Sequence, residues 1–123
     1  LHLFLNRLLP EAPIPFHCLP EMVVQAAQQK KHRRLLILGT QNTCRSKLYQ
    51  FAEIQTVYPS LDHQNLIDAI IDRVLEGKIL EQDSFLVSQV IEKTLRSEEF
   101  DGVVLGCTDF PVLHHRFPIS SVK

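Results

Sequence analysis

Apolar and polar residues alternate along this chain in two rhythms. The first is short and continuous. Arg34-Leu35-Leu36-Ile37-Leu38 is the clearest case, and its unbroken apolar character predicts a strand buried on both faces, as in a parallel sheet. Gly102 to Gly106 reads the same way. Ile54 to Tyr58, closed by Pro59, and Ile14 to Cys18, set between prolines, read as two further strands. Pro118 to Val122 is a candidate for one more extended segment.

The second rhythm is helical. Met22, Val23, Ala26 and Ala27 recur at helical spacing in 20–29, where Pro20 and Glu21 suit a first turn. Segment 61–76 carries Leu66, Ile67, Ile70, Ile71, Val74 and Leu75, with Gly77 as its stop. Segment 83–97 places Leu86, Val87, Val90, Ile91 and Leu95 on one face. A short helix over 2–9 ends at Pro10, and another is expected from Thr43 to about residue 52. Strand and helix thus alternate. This predicts a single doubly wound α/β domain, with a mainly parallel sheet of about four strands flanked by helices.

Composition narrows the function. The chain has 123 residues, 45% of them hydrophobic, and a formal net charge of −1. That is one domain with a packed core and no broad basic field, so nucleic acid and anionic membranes are not expected partners. Lys30-Lys31-His32-Arg33-Arg34 is the exception and reads as a solvated turn before a strand. No apolar run reaches the length of a membrane span, and Leu1-His2-Leu3-Phe4-Leu5 meets Asn6, Arg7 and Pro10 too soon for a signal peptide. The three cysteines are far apart, with no C-x-x-C pair. They fit reduced thiols in a cytoplasm better than a disulfide framework.

The candidate chemistry lies where buried strands end. In Leu105-Gly106-Cys107-Thr108-Asp109-Phe110-Pro111 an apolar strand stops at a glycine, and a helix start follows. Cys107 is therefore expected at a helix N-terminus, where unpaired N–H groups and the helix dipole favour thiolate over thiol. Gly106 admits a close approach, Thr108 offers a hydroxyl, and Asp109 can cap the helix with Pro111 in its first turn. Strand-end cysteines are as often inert filler, so position alone leaves both readings open.

Gly39-Thr40-Gln41-Asn42-Thr43 repeats the device after the other buried strand. C-terminal strand ends share one side of a parallel sheet, so the two turns should converge on one crevice. Thr40, Asn42, Thr43 and nearby N–H groups would then form an uncharged cradle for a carboxylate or phosphate. Simple N-capping by Thr43 is the alternative. Gln41-Asn42-Thr43-Cys44-Arg45-Ser46 resembles the phosphate loop of low-molecular-weight tyrosine phosphatases. However, Gly39 stands where that loop has its nucleophile, and Cys44 reads as a first-turn helix residue.

Taken together, Gly39-Thr40-Gln41-Asn42-Thr43, Ser46 to Tyr49, and Leu105-Gly106-Cys107-Thr108-Asp109-Phe110-Pro111 resemble the aspartate/glutamate racemase superfamily. The resemblance implies two similar α/β lobes, each donating one cysteine to a site between them. It implies proton removal by one thiolate and return by the other thiol, with no cofactor and no metal. Cys107 would be the acid/base thiol, and Thr40, Asn42, Thr43 and Thr108 would contact a small acidic amino acid. Lys78, in a Gly-Lys step after helix 61–76, would hold its distal carboxylate; the alternative is a lysine that serves the exposed carbonyls at the C-terminus of that helix. Thr108-Asp109 is closer to the aspartate-type Thr-Glu than to the glutamate-type Thr-His, which favours aspartate. The superfamily's first Cys-Asn-Thr motif is absent, so the chain reads as the second lobe of such an enzyme and as half of a site. A homodimer is an open possibility. The competing reading is a non-catalytic α/β module that binds a small carboxylate or phosphate, and the reactivity of Cys107 discriminates between the two.

Overall fold

The computed structural model describes residues 19–51 and 53–120. Its elements run α1 (Leu19–Gln29), β1 (Arg34–Leu38), α2 (Gln41–Arg45), β2 (Gln55–Val57), α3 (Leu61–Leu75), α4 (Glu81–Ser97), β3 (Gly102–Leu105) and α5 (Asp109–Arg116). The strands form one parallel sheet in the order β2-β1-β3. The described sheet therefore has three strands, where the apolar pattern predicts about four. The expected strand Ile14–Cys18 and the helix 2–9 lie outside the described residues. Pro118 to Ser120 adds no strand, and 121–122 also lie outside.

β1 sits in the middle because it is apolar on both sides. Leu36 and Leu38 join Val57, Ile67, Ile70, Ile71, Val87, Val90, Phe110 and Leu113 in one core cluster. Leu35 and Ile37 join Val24, Ala27, Tyr49, Ile54 and Val104 in another. The period of two along the strand thus sends alternate residues to opposite faces. α3, α4 and α5 cover one face, while α1 and the segment around Tyr49 and Ile54 cover the other. This is the doubly wound α/β arrangement expected from the sequence.

Two helices differ from their expected form. The helix expected to reach residue 52 stops at Arg45. Ser46 closes it with a hydroxyl that donates to the Thr43 carbonyl, and Lys47 leaves the helical region with φ at 54°. The chain then turns Leu48, Tyr49 and Phe51 onto the cluster formed by Leu35, Ile37 and Val104. The buried face of α4 is more polar than its apolar residues imply. Leu95 is half exposed, whereas Asp83, Ser84, Ser88 and Thr94 are buried. Each has partners. Asp83 takes two hydrogen bonds from Arg73, at 2.9 and 2.6 Å, and Ser84 donates to the Phe117 carbonyl at 2.7 Å. Ser88 and Thr94 donate to the carbonyls four residues back, at Ser84 and Val90.

The pairing of β1 with β3 is pinned at both ends. At its start the Asp101 carboxylate accepts from the Arg33 and Arg34 N–H groups at 2.9 to 3.2 Å. At its finish the Gly106 N–H donates to the Leu38 carbonyl at 2.7 Å. Partial burial pushes the Asp101 carboxyl up. The two N–H groups and nearby His32 outweigh it and hold the acid below its ordinary 3.8. A carboxylate lowered on folding stabilises the fold above its unfolded pKa and loses that contribution as pH falls through the folded value. Asp101→Asn should therefore lower the urea midpoint at pH 6, and the gap to wild type should close below about pH 3.8. An equal gap at pH 6 and pH 3 would show that the charge is irrelevant.

Candidate functional site

The two glycine turns meet, as the shared sheet edge requires. Besides the bond between Gly106 and Leu38, a side chain placed on Gly39 would come within 3.5 Å of the Gly106 carbonyl. One placed on Gly106 would come within 3.2 Å of both the Leu38 carbonyl and the Tyr49 ring. A side chain at Gly106 would fit only if the Leu38 carbonyl and the Tyr49 ring gave way by a few tenths of an ångström, so glycine is favoured there. Thr40 and Cys107 each follow one member of this adjacent glycine pair, so the structure sets the two turns side by side at the same edge of the sheet.

The first turn is built around Thr40. It is the N-cap of α2, with extended backbone, and its Oγ1 accepts from the Thr43 N–H at 3.2 Å. The two threonine hydroxyls also share a hydrogen bond at 3.1 Å. Two hydroxyl protons and one shared bond leave one proton for a ligand. The amide cradle expected here is smaller than its sequence implies. The Thr43 N–H serves the cap, and the Gln41 N–H donates to Asp68 Oδ1 at 3.0 Å. Asn42 is exposed at the rim of the turn.

The second turn corrects the sequence reading in two respects. Asp109 does not cap α5. Thr108 takes the N-cap position without a capping hydrogen bond and is itself exposed. The Asp109 carboxylate instead accepts from the Cys107 thiol at 3.1 Å. The thiol is also not tuned toward thiolate. Burial pushes it up to about 11, and the Asp109 carboxylate adds to the rise. The N–H groups of Asp109 and Phe110 at the helix start do pull it down, as expected, but they are outweighed.

Lys78 shares no hydrogen bond or ion pair with either turn. Its N–H donates to the Arg73 carbonyl while Gly77, at φ 84°, donates to that of Val74, a Schellman closure of α3. Its ammonium meets Glu76 at 3.1 Å, with both side chains largely exposed. It stands on the order of 12 Å along the helix axis beyond Asp68. Cys18 lies outside the described residues. Cys44 is pushed up to about 11 by burial and by Asp68.

A family model for the Asp/Glu/Hydantoin racemase matches residues 1–120. The chain belongs to the Asp/Glu/hydantoin racemase family. Glutamate racemase of Staphylococcus aureus is 30% identical over 93 residues, covering 72% of this chain and 34% of that enzyme. The crystal structure of an aspartate racemase homologue from Pyrococcus horikoshii OT3 matches with a TM-score of 0.79 at 25% identity, covering 91% of this chain and 51% of that one. A candidate Asp/Glu racemase from Yersinia pestis shares the fold, with a TM-score of 0.78 at 21% identity. The chain thus spans about a third of the glutamate racemase and about half of each structural neighbour. Among the described residues no helix is long and apolar enough to cross a membrane.

Around this racemase-family crevice the sequence reading missed Gln64 and Asp68. Both sit in the first half of α3 and look like ordinary polar-face residues. Gln64 is nevertheless buried, and its Nε2 donates to the Gly39 carbonyl at 2.8 Å and to Asp68 Oδ1 at 3.1 Å. Their i, i+4 spacing was the only available signal. A separate cavity of about 530 Å³ lies between α1, α4 and β3, lined by Val23, Leu35, Ile91 and Phe100 among others, and none of the expected site residues borders it.

Alkylation tests the electrostatics of the second turn. The rate of Cys107 modification by iodoacetamide should climb with pH up to about 11. Asp109→Asn removes the charge that adds to burial in retaining the proton, so at pH 8 it should react measurably faster than wild type. A rate flat with pH, or no gain in the variant, would refute this account.

Proposed function

We propose that this chain forms one lobe of a racemase for an acidic amino acid, aspartate in preference to glutamate. Cys107 serves one face of the substrate's α-carbon, and a thiol from a second lobe serves the other. The observation that carries the reading is the contact of Gly39 with Gly106, which sets a hydroxyl-bearing turn beside a thiol-bearing one. Kinship with racemases and the length match to about half of the structural neighbours support it. Aspartate is favoured by the acidic Asp109 after Thr108.

In this reading a base on one face takes the α-proton, and the C–H bonding pair stays on carbon. The thiol opposite gives its proton to that carbon, so one S–H bond is exchanged for another and no net proton is consumed. Cys107, protonated and partly buried at rest, is suited to the donor role. In the reverse direction it starts as the thiolate that proton donation leaves behind, and burial with the Asp109 carboxylate 3.1 Å away makes that thiolate the stronger base. The spare hydroxyl proton of the Thr40–Thr43 pair would bind the α-carboxylate, with Asn42 and Thr108 at the rim. Lys78 would bind the distal carboxylate. Its exposed pair with Glu76 is worth roughly 0–1 kcal/mol and so yields easily to a substrate.

Joined to the first lobe of a homologous racemase, the chain should interconvert L- and D-aspartate. Cys107→Ser should lower that rate by orders of magnitude, since a hydroxyl is a far weaker acid and base at neutral pH. Near-normal turnover in the serine variant would sink the assignment. The purified chain alone should not interconvert the enantiomers in a chiral assay, and robust turnover would reveal a second acid/base group within it.

In the same two-lobe protein, Lys78→Met should raise the KM for aspartate about tenfold or more while the thermal midpoint stays unchanged. Unaltered kinetics would return Lys78 to the capping of α3.

A further inference from the structure

We infer that Gln64 is a positioning residue that sets the direction in which Thr40 faces the crevice, with Asp68 as its relay. The inference deepens the reading of the Gly39–Thr43 turn as a carboxylate-binding element and rests on it. Gln64 is 6% exposed, and its amide is used on both sides. The Nε2 group donates to the Gly39 carbonyl and to Asp68 Oδ1, while Oε1 faces the Cys44 thiol at 3.6 Å. The orientation of the amide follows from its neighbours. Two acceptors stand on the Nε2 side, so only the nitrogen fits there.

The same Asp68 oxygen accepts the Gln41 N–H at 3.0 Å. The Gly39 carbonyl belongs to the peptide plane before Thr40, and the Gln41 N–H belongs to the plane after it. Gln64 and Asp68 therefore hold both planes, and this fixes Thr40 at φ −65° and ψ 158°. No other pair of side chains in the described structure grips both sides of that residue. A well-packed apolar residue at position 64 would fill the volume under the turn. It would leave the buried Gly39 carbonyl unpaired and free the turn to rotate.

Two variants of the 123-residue chain test the inference. Gln64→Met keeps the volume and removes both donors. Gln64→Glu restores a donor only while its carboxyl is protonated. Burial beside the Asp68 carboxylate, with the neutral Cys44 thiol as the other neighbour, holds that proton to higher pH than usual. Amide exchange followed by NMR reads the turn directly, and titration with L-aspartate reads binding. In Gln64→Met the protection factor of the Gln41 amide should fall at least tenfold and the Kd for L-aspartate should rise at least tenfold, while the β1 amides stay protected. In Gln64→Glu both values should lie between wild type and Gln64→Met at pH 5, where one of the two donors is restored, and worsen by pH 8, where ionisation removes it. Wild-type protection at Gln41 in Gln64→Met, or pH-independent behaviour of Gln64→Glu, would overturn the inference. If the wild-type chain without its second lobe does not bind L-aspartate, the Gln41 protection factors alone decide the role of Gln64. If Gln64→Met does not fold, the pH dependence of Gln64→Glu decides it.

Discussion

Everything that makes this chain more than a stable α/β domain depends on the pairing of β1 with β3. The register Leu35↔Gly102 to Leu38↔Leu105 is what puts Gly39 against Gly106. A slip of one residue would reverse the faces of Leu36 and Leu38 and would carry the cysteine turn away from the threonine turn. The register is held by different means along its length. Asp101 clips the start through charge-assisted hydrogen bonds, and the apolar faces of β1 lock the middle. The Gly106 N–H closes the end. The site is a by-product of the sheet's geometry before any ligand is considered.

The state of Cys107 shows how two sound arguments compete. A helix start does favour a thiolate, but such an effect is worth roughly 0.3–1 kcal/mol, less than one pKa unit. Burial and the adjacent carboxylate move the thiol from 9.0 to about 11, and they win. Cys107 therefore rests as a protonated thiol that donates to the Asp109 carboxylate at 3.1 Å. The surroundings and not the cysteine's place in the sequence decide which protonation state the site begins from.

Much of this was readable in advance. The continuous apolar runs of β1 and β3 announce strands buried on both faces, and the spacing of Ile67, Ile70, Ile71 and Val74 announces α3. The convergence of the two turns follows from parallel strands alone. The rest depended on contacts that periodicity does not encode. The early end of α2 comes from Ser46 and Lys47, whose backbone choice matters only because Tyr49 finds the sheet. The polar buried face of α4 is visible only once Arg73 and the Phe117 carbonyl are in place. Asp109 reads as a cap until its carboxylate is seen beside sulfur. Gln64 reads as a surface residue until the carbonyl it serves is known to be buried.

The strand order carries a kinetic consequence. β1 pairs with β2 about twenty residues onward, but Leu38 meets Leu105, 67 positions further along the chain, only after everything between them has been arranged. Long-range parallel pairing closes large loops before contacts reward it, and so it is slow. During synthesis α1, β1, β2 and α3 emerge well before the partner that completes the crevice. The two turns therefore remain apart for most of the chain's production. Nothing resembling the site exists until β3 docks, and any truncation upstream of Gly102 removes the crevice whole.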